Sequence, residues 1–291
     1  MNKKNFVIIN YNTDNNEFEI HLNAPVSVCW QVNNICNLNC KYCISNSGAD
    51  GTEGLETKKA KKIIKQISKA NVSQLNFAGG EPLLRNDIEI LIDYSKKKGL
   101  RTTITTNGTI LNEKILKALK KADLVEVSID GDRETHNSFR GKEVYDITIE
   151  NIKKIIDYGC NVRINTYLCN SNKHCIEHLQ YLDCQLNVKN HLYLLFKAQG
   201  RGQEHKEEVI DNKELKNVFD KIYANGYNID KIEYDKFLHS NVNIDPNGNV
   251  FSQGFNDTEI VGNILKQNLS EIYNNPIFNH KLHLAYHIGL K

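Results

Sequence analysis

The stretch Cys36-Asn-Leu-Asn-Cys40-Lys-Tyr-Cys43 places three cysteines within eight residues, at spacing C-x3-C-x2-C. It follows directly on the apolar run Val26, Val28, Trp30 and Val32. Thiolates are soft ligands suited to iron–sulfur clusters or zinc. A structural zinc site takes four protein ligands, and no fourth lies at a sensible distance along the chain. A 4Fe–4S cube held by only three cysteines keeps one iron open to an exchangeable ligand. The plain alternative is a set of ordinary core thiols.

Working outward, residues 26–32 read as the first core strand, with the cysteine loop after it. Upstream, 6–9 and 17–22 flank the turn-rich segment 11–16, which predicts a leading hairpin. Downstream, the lysine-rich segment 58–69 carries Ala60, Ile63, Ile64, Ile67 and Ala70 at helical spacing, so its lysines form the solvated face of an amphipathic helix. Strand 74–77 ends in Ala78-Gly79-Gly80-Glu81-Pro82. Helix and strand then alternate: helices over 87–98, 112–121, 145–158 and 173–182, strands over 101–105, 124–129, 162–167 and 191–196. Gly99 and Gly159 stand just past helix ends, where a left-handed cap is wanted. Six βα units with short connections predict a parallel sheet flanked by helices; a closed barrel needs eight. A doubly wound nucleotide-binding fold predicts G-x-G-x-x-G after the first strand, and residues 36–43 contain no glycine.

The chain has 291 residues, enough for one large α/β domain or a domain with an appendix. Its 37 basic residues balance 35 acidic ones, which leaves no electrostatic footprint for nucleic acid, and none is expected as a partner. The polar start and the lack of an apolar span of about 18 residues predict a protein without membrane contact, in the cytoplasm. Eight cysteines in such a chain point to reduced thiols and metal, not a disulfide framework.

The cysteine stretch, with the aromatic Tyr42 before its third cysteine, resembles the signature of the radical S-adenosylmethionine (SAM) superfamily. The resemblance covers about residues 25–200. It implies an open (βα)6 partial TIM barrel over 25–202, preceded by the hairpin of 1–24 and followed by a small α+β appendix over 203–291. It also implies one 4Fe–4S cluster on Cys36, Cys40 and Cys43, with SAM on the open iron. Cleavage of SAM by an electron from an external donor such as flavodoxin or ferredoxin would then give a 5′-deoxyadenosyl radical that abstracts a substrate hydrogen.

The same resemblance nominates the other site residues, all at strand ends, where α/β proteins place ligands. Gly79, Gly80 and Glu81 match the family's GGEP motif: the glycines allow close backbone approach, and the carboxylate accepts from the SAM ammonium. Thr106 and Asn107 in Thr-Asn-Gly stand for the ribose and carboxylate side of SAM. Ser128 and Asp130 match S-x-D-G, and Asn165 could reach SAM by the same position rule. Arg140, in a motif like H-x3-R-G with His136, suits an anionic group, or an ion pair that steadies a loop. In Gln199-Gly200-Arg201-Gly202, Arg201 is open to a SAM or substrate contact or to a structural turn. No catalytic residue is assigned beyond the cluster. Cys29, Cys160, Cys169, Cys175 and Cys184 match no ligand frame. His280, His283 and His287 read as surface histidines on one helical face.

The tail predicts a helix over 213–225, a strand over 228–234, a hairpin around Pro246-Asn247-Gly248 and a capped helix near Ser270. This resembles the SPASM or twitch appendix of peptide and sulfatase maturases. Ser240 and Gln253 stand where that appendix carries cysteines, and none follows Cys184, so no auxiliary cluster is expected. The expected function is that of a radical SAM enzyme modifying a peptide. The alternatives are a nucleotide or other small-molecule substrate, as in viperin-like dehydratases, and a non-catalytic metal or thiol module.

Overall fold

Residues 7–12, 17–22, 24–224, 241–251, 259–275 and 282–284 are described by a computed structural model of the chain. Six parallel strands follow one another across a sheet in chain order: β3 (Ser27–Gln31), β4 (Gln74–Ala78), β5 (Arg101–Thr106), β6 (Leu124–Ser128), β7 (Val162–Leu168) and β8 (His191–Leu195). Helices α1 (Thr57–Lys69), α2 (Ile88–Lys97), α3 (Glu113–Lys121), α5 (Val144–Asp157) and α6 (Ile176–Leu186) connect them. The sheet does not close, since β8 forms one edge and β11 (Ile260–Asn263) the other. This is the open (βα)6 arrangement expected. Among the described residues no helix is long and apolar enough to cross a membrane.

Each strand sorts its residues onto two faces by the period of two. Val28, Trp30, Leu75, Phe77, Ile104, Val125, Val127 and Ile164 pack into one core with Ile63, Ile64 and Ile67 of α1, Leu91 and Ile92 of α2, and Ile152 and Ile155 of α5. The opposite face is polar and hydrogen-bonded from strand to strand. Gln74 donates to Thr103 (3.2 Å), Asn76 to Thr105 (3.0 Å) and Thr105 to Glu126 (2.8 Å). From the next strand, Asn165 donates to Glu126 at 2.9 Å and Arg163 pairs with the same carboxylate. The cavity described below opens where this face reaches the strand ends.

Three elements differ from the sequence reading. Residues 133–140, expected as a loop, form helix α4 (Arg133–Arg140); Asp132 caps it by accepting from the Thr135 N–H at 2.9 Å, and Gly141 follows its end. The tail hairpin is present as β9 (Asn241–Ile244) and β10 (Asn249–Phe251), but β9 lies parallel to β3, so the hairpin and β11 continue the central sheet. His283 stands in a strand, β12 (Leu282–Leu284), and not on a helix. That strand pairs with β2 (Glu17–Leu22), which forms the expected N-terminal hairpin with β1 (Val7–Asn12). Helices α7 (Asn212–Ala224) and α8 (Leu269–Tyr273) fall where expected, the latter with an Asn268–Glu271 capping box. The expected strand over 228–234, Ser240, Gln253, His280 and His287 lie outside the described residues.

The long loop over 32–56 carries the three cysteines, and Arg85 staples both its ends. Its guanidinium donates to the carbonyls of Val32 (2.8 Å), Glu53 (3.0 Å) and Leu55 (2.8 Å), and grips Asp87 with two bonds of 2.9 Å. Removing one partner of a buried, hydrogen-bonded pair costs roughly 3–5 kcal/mol. Arg85→Ala is therefore expected to lower the unfolding free energy by about 3 kcal/mol, read from the urea midpoint; a loss under about 0.5 kcal/mol, the range of ordinary surface changes, would contradict the staple.

Candidate functional site

The cysteine loop and the loop after β4 are laced backbone to backbone. Gly80 donates to the Asn33 carbonyl (3.1 Å), Glu81 donates to that of Ile35 (2.9 Å), and the Asn33 amide donates back to the Glu81 carbonyl (2.8 Å). A Cβ on Gly80 would lie 2.2 Å from the Ile35 carbonyl oxygen, and one on Gly79 2.4 Å from the Asn33 Oδ1. Both glycines are thus required by the packing of one loop on the other, and both also line a cavity of about 170 Å³.

A second clasp reaches the cysteines from beyond the edge strand β8. Arg201 donates through its backbone to the Cys43 carbonyl (3.0 Å), and through its side chain to those of Cys40 (2.8 Å) and Ser47 (2.9 Å). Gly200 has φ +56°, and its missing Cβ would lie 2.4 Å from the Cys43 carbonyl oxygen. Tyr42, between the second and third cysteines, donates its hydroxyl to Glu208 at 2.6 Å and meets Phe139, Phe196 and His205 edge-on. Of the two readings open for Arg201, the geometry gives it loop-holding bonds.

Cys36, Cys40 and Cys43 all line the cavity, and none of the other five cysteines does. Burial pushes the Cys36 thiol up to about 11; the Leu38 N–H opposes this, while Glu81, Cys40 and Cys43 add to it. The Cys40 thiol is likewise raised by burial, against the nearby charges of Arg140 and Arg201. Three thiols close enough to repel one another as thiolates form a donor set that a soft cation relieves. Cys36 Sγ accepts from the Leu38 N–H and Cys43 Sγ from the Ser47 N–H, each at 3.4 Å. The set fits a metal–sulfur group with three protein ligands and space on its fourth side.

The remaining expected residues divide in two. Thr106, Asn107, Ser128, Asp130, Arg140 and Tyr42 all line the cavity. The Asn107 amide stands 3.8 Å from Cys36 Sγ and 3.0 Å from Asn37 Oδ1. Asp130 pairs with Arg140 Nε at 2.6 Å and accepts from the Tyr167 N–H at 3.0 Å. Its own N–H donates to His136 Nδ1 at 3.1 Å. Burial, with Arg140 adding to it, holds His136 down to about 4, so the imidazole is neutral and free to accept. Glu81 and Asn165 are placed off the cavity wall. The Glu81 carboxylate is buried beneath the Thr-Asn-Gly turn, accepting from the Leu83 N–H (3.0 Å), the Thr106 hydroxyl (2.8 Å) and the Asn107 N–H (2.8 Å). Burial lifts its pKa to about 7 against those donors and the Arg140 charge. Asn165 is engaged with Glu126, deeper on the polar face.

Sequence reasoning missed Phe139 and Tyr167 on the wall and Glu208 behind Tyr42. Tyr167 ends a strand and was accessible to the rule that nominated Asn165. Nothing along the chain marks Phe139 or Glu208.

The family model described as the Radical SAM superfamily matches residues 30–182. The mycofactocin maturase MftC of Mycolicibacterium smegmatis is 26% identical over 276 residues, which cover 86% of this chain and 70% of that protein. The AdoMet-dependent heme synthase of Methanosarcina barkeri is 34% identical over 191 residues, covering 64% of this chain and 54% of the synthase. The chain thus spans little more than half the length of the synthase. Among solved structures, Streptococcus suis SuiB bound to S-adenosylmethionine superposes with a TM-score of 0.71 at 18% identity, covering 89% of this chain and 68% of SuiB. At that identity the likeness speaks for the fold alone.

The Gly200 clasp carries a prediction that needs no metal. A left-handed conformation costs a branched side chain about 1–2 kcal/mol, before the overlap with Cys43 is counted. Gly200→Val is expected to speed alkylation of Cys40 and Cys43 roughly tenfold in metal-free protein, read by mass spectrometry. Unchanged rates would mean that the clasp does not hold the loop.

Proposed function

The chain belongs to the radical SAM superfamily, and on that premise we propose that Cys36, Cys40 and Cys43 carry its single 4Fe–4S cluster and that the chain modifies a peptide. Enzymes of this family use such a cluster together with SAM. The observation that carries the assignment is the gathering of these three thiols, and of no other cysteine, on one cavity with Gly79, Gly80 and Asn107. The reduced cluster, when bound, supplies the hard step, cleavage of SAM to a 5′-deoxyadenosyl radical.

Everything else falls to the chain's own groups. The backbone at Gly79 and Gly80 offers a close surface for the amino-acid end of SAM, and the Asn107 amide stands beside Cys36. Glu81 acts from below: its carboxylate fixes the Thr106 hydroxyl and the Asn107 N–H, so in this reading it is a positioning residue. Ser128 and the Asp130–Arg140 pair also line the cavity, with Arg140 held by its bond to Asp130. Phe139 and Tyr167 supply apolar walls that exclude water from a reactive intermediate. The two clasps on the cysteine loop keep the thiols in register, which matters because small misplacements near the reacting atoms are costly in rate.

The peptide reading is supported by the maturase MftC, similar over 86% of this chain. A second reading, a small-molecule substrate, is favoured by the heme synthase, which has the higher identity over a shorter span.

Anaerobic incubation of the reduced, cluster-loaded chain with SAM separates the readings. Parallel samples receive a peptide mixture, an iron tetrapyrrole, or nucleoside triphosphates. Peptides are expected to raise 5′-deoxyadenosine formation about tenfold or more over the substrate-free rate, with a mass change in the peptide. Stimulation by the tetrapyrrole or nucleotides alone would overturn the peptide reading. No 5′-deoxyadenosine in any sample would overturn the assignment of the site.

A further inference from the structure

Away from the cavity, Asp132, His174 and Cys175 bring a carboxylate oxygen, an imidazole nitrogen and a thiol sulfur within 4.8 Å of one another. None of the three lines the cavity. We propose that they form a second metal site, for zinc or a similar borderline-soft divalent cation, that fixes the rim of the cavity from behind.

The three residues come from two loops on the same end of the barrel. Asp132 follows β6 and caps α4 with one oxygen, accepting from the Thr135 N–H, which leaves lone pairs on its carboxylate. His174 and Cys175 lie in the short 3-10 turn Lys173–Cys175 that leads into α6. That turn is set by Asn172, whose amide donates to the carbonyls of Asp130 (2.8 Å) and Tyr167 (2.7 Å), so the second loop is already registered against the first. Cys175 is buried, with its sulfur 3.4 Å from His174 Nε2 and 3.6 Å from Thr135 Oγ1. His174 is exposed, so its ring has room to close the last fraction of the distance to a tetrahedral ion.

The donor set matches the cation. Sulfur, nitrogen and carboxylate oxygen are ligand types zinc takes; with three protein ligands the site is of the open kind that completes its tetrahedron with water, not the closed four-ligand kind. Binding forms one metal–sulfur bond as the Cys175 thiol releases its proton to solvent; nothing is oxidised or reduced. His178, one helical turn beyond His174, is not in the set and bonds the Tyr145 hydroxyl at 3.2 Å. The bond network gives the site a purpose. Asp132 begins α4, and α4 ends in Phe139 and Arg140, both on the cavity wall. A cation joining Asp132 to His174 and Cys175 ties α4 to the loop after β7, and so steadies Arg140 against Asp130.

The test uses the full iron-loaded chain, equilibrated anaerobically with zinc, desalted, and analysed for zinc and iron together. Wild type and His178→Ala are expected to retain about one zinc per chain beyond their iron. Cys175→Ser and His174→Ala should retain less than about a tenth of that, with iron content and circular dichroism unchanged. Zinc should also raise the melting temperature of wild type and leave that of His174→Ala, a surface change, where it was. No zinc on wild type, or equal zinc on Cys175→Ser and His174→Ala, would overturn the site.

Discussion

The backbone at Gly79-Gly80, on the cavity wall, lies directly against Asn33–Ile35, Gly80 on the Ile35 carbonyl and Gly79 on the Asn33 side-chain oxygen and carbonyl. That contact joins the end of β4 to the start of the cysteine loop, and it leaves no room for a methyl group on either glycine. Two further constraints close on the same loop: Arg85 ties its two ends, and Gly200-Arg201 grips its middle from beyond the edge strand β8. Glu81 supports the neighbouring Thr106-Asn107 turn. A long irregular segment would otherwise be among the least stable parts of a domain. Here its carbonyls are taken up by charged and backbone donors, and its thiols acquire fixed places.

The two faces of the sheet divide the labour. One packs Val28, Phe77, Ile104, Val127 and Ile164 under the helices and supplies the hydrophobic stabilisation. The other carries Asn76, Thr105, Glu126, Arg163 and Asn165 in a hydrogen-bonded band. Side chains hydrogen-bonded from strand to strand rigidify the wall they belong to. The band ends at Ala78, Thr105, Ser128 and Tyr167 on the cavity, so the site is built on strand ends that cannot easily move.

Much of this was legible in the sequence, and the pattern of what was not is physical. Cysteine spacing, strand–helix alternation and the position of Gly79-Gly80 are local, and the six parallel core strands fall within a residue of the reading that predicted them. Contacts between distant segments leave no local trace. Nothing near Asn241 announces that β9 lies beside β3, and nothing near Arg201 announces that it holds Cys40. Helix α4 was hidden because it is only eight residues long and polar overall, with just His136 and Phe139 buried, although the Asp132 cap and Gly141 stop were there to be read. For Glu81 and Asn165 the strand-end rule found the right neighbourhood. It could not say that one carboxylate would turn beneath a turn, or that one amide would be taken by Glu126.

The thiols of Cys36, Cys40 and Cys43, and only these, are proposed to hold the iron–sulfur cluster. Iron and sulfide content after anaerobic reconstitution tests it, comparing wild type with the Cys36→Ala/Cys40→Ala/Cys43→Ala variant. About four irons and about four sulfides per chain are expected in wild type, and none in the variant. About four irons remaining in the variant would place a cluster on Cys160, Cys169, Cys175 or Cys184 and contradict the single-cluster reading; none in either protein would contradict the site itself.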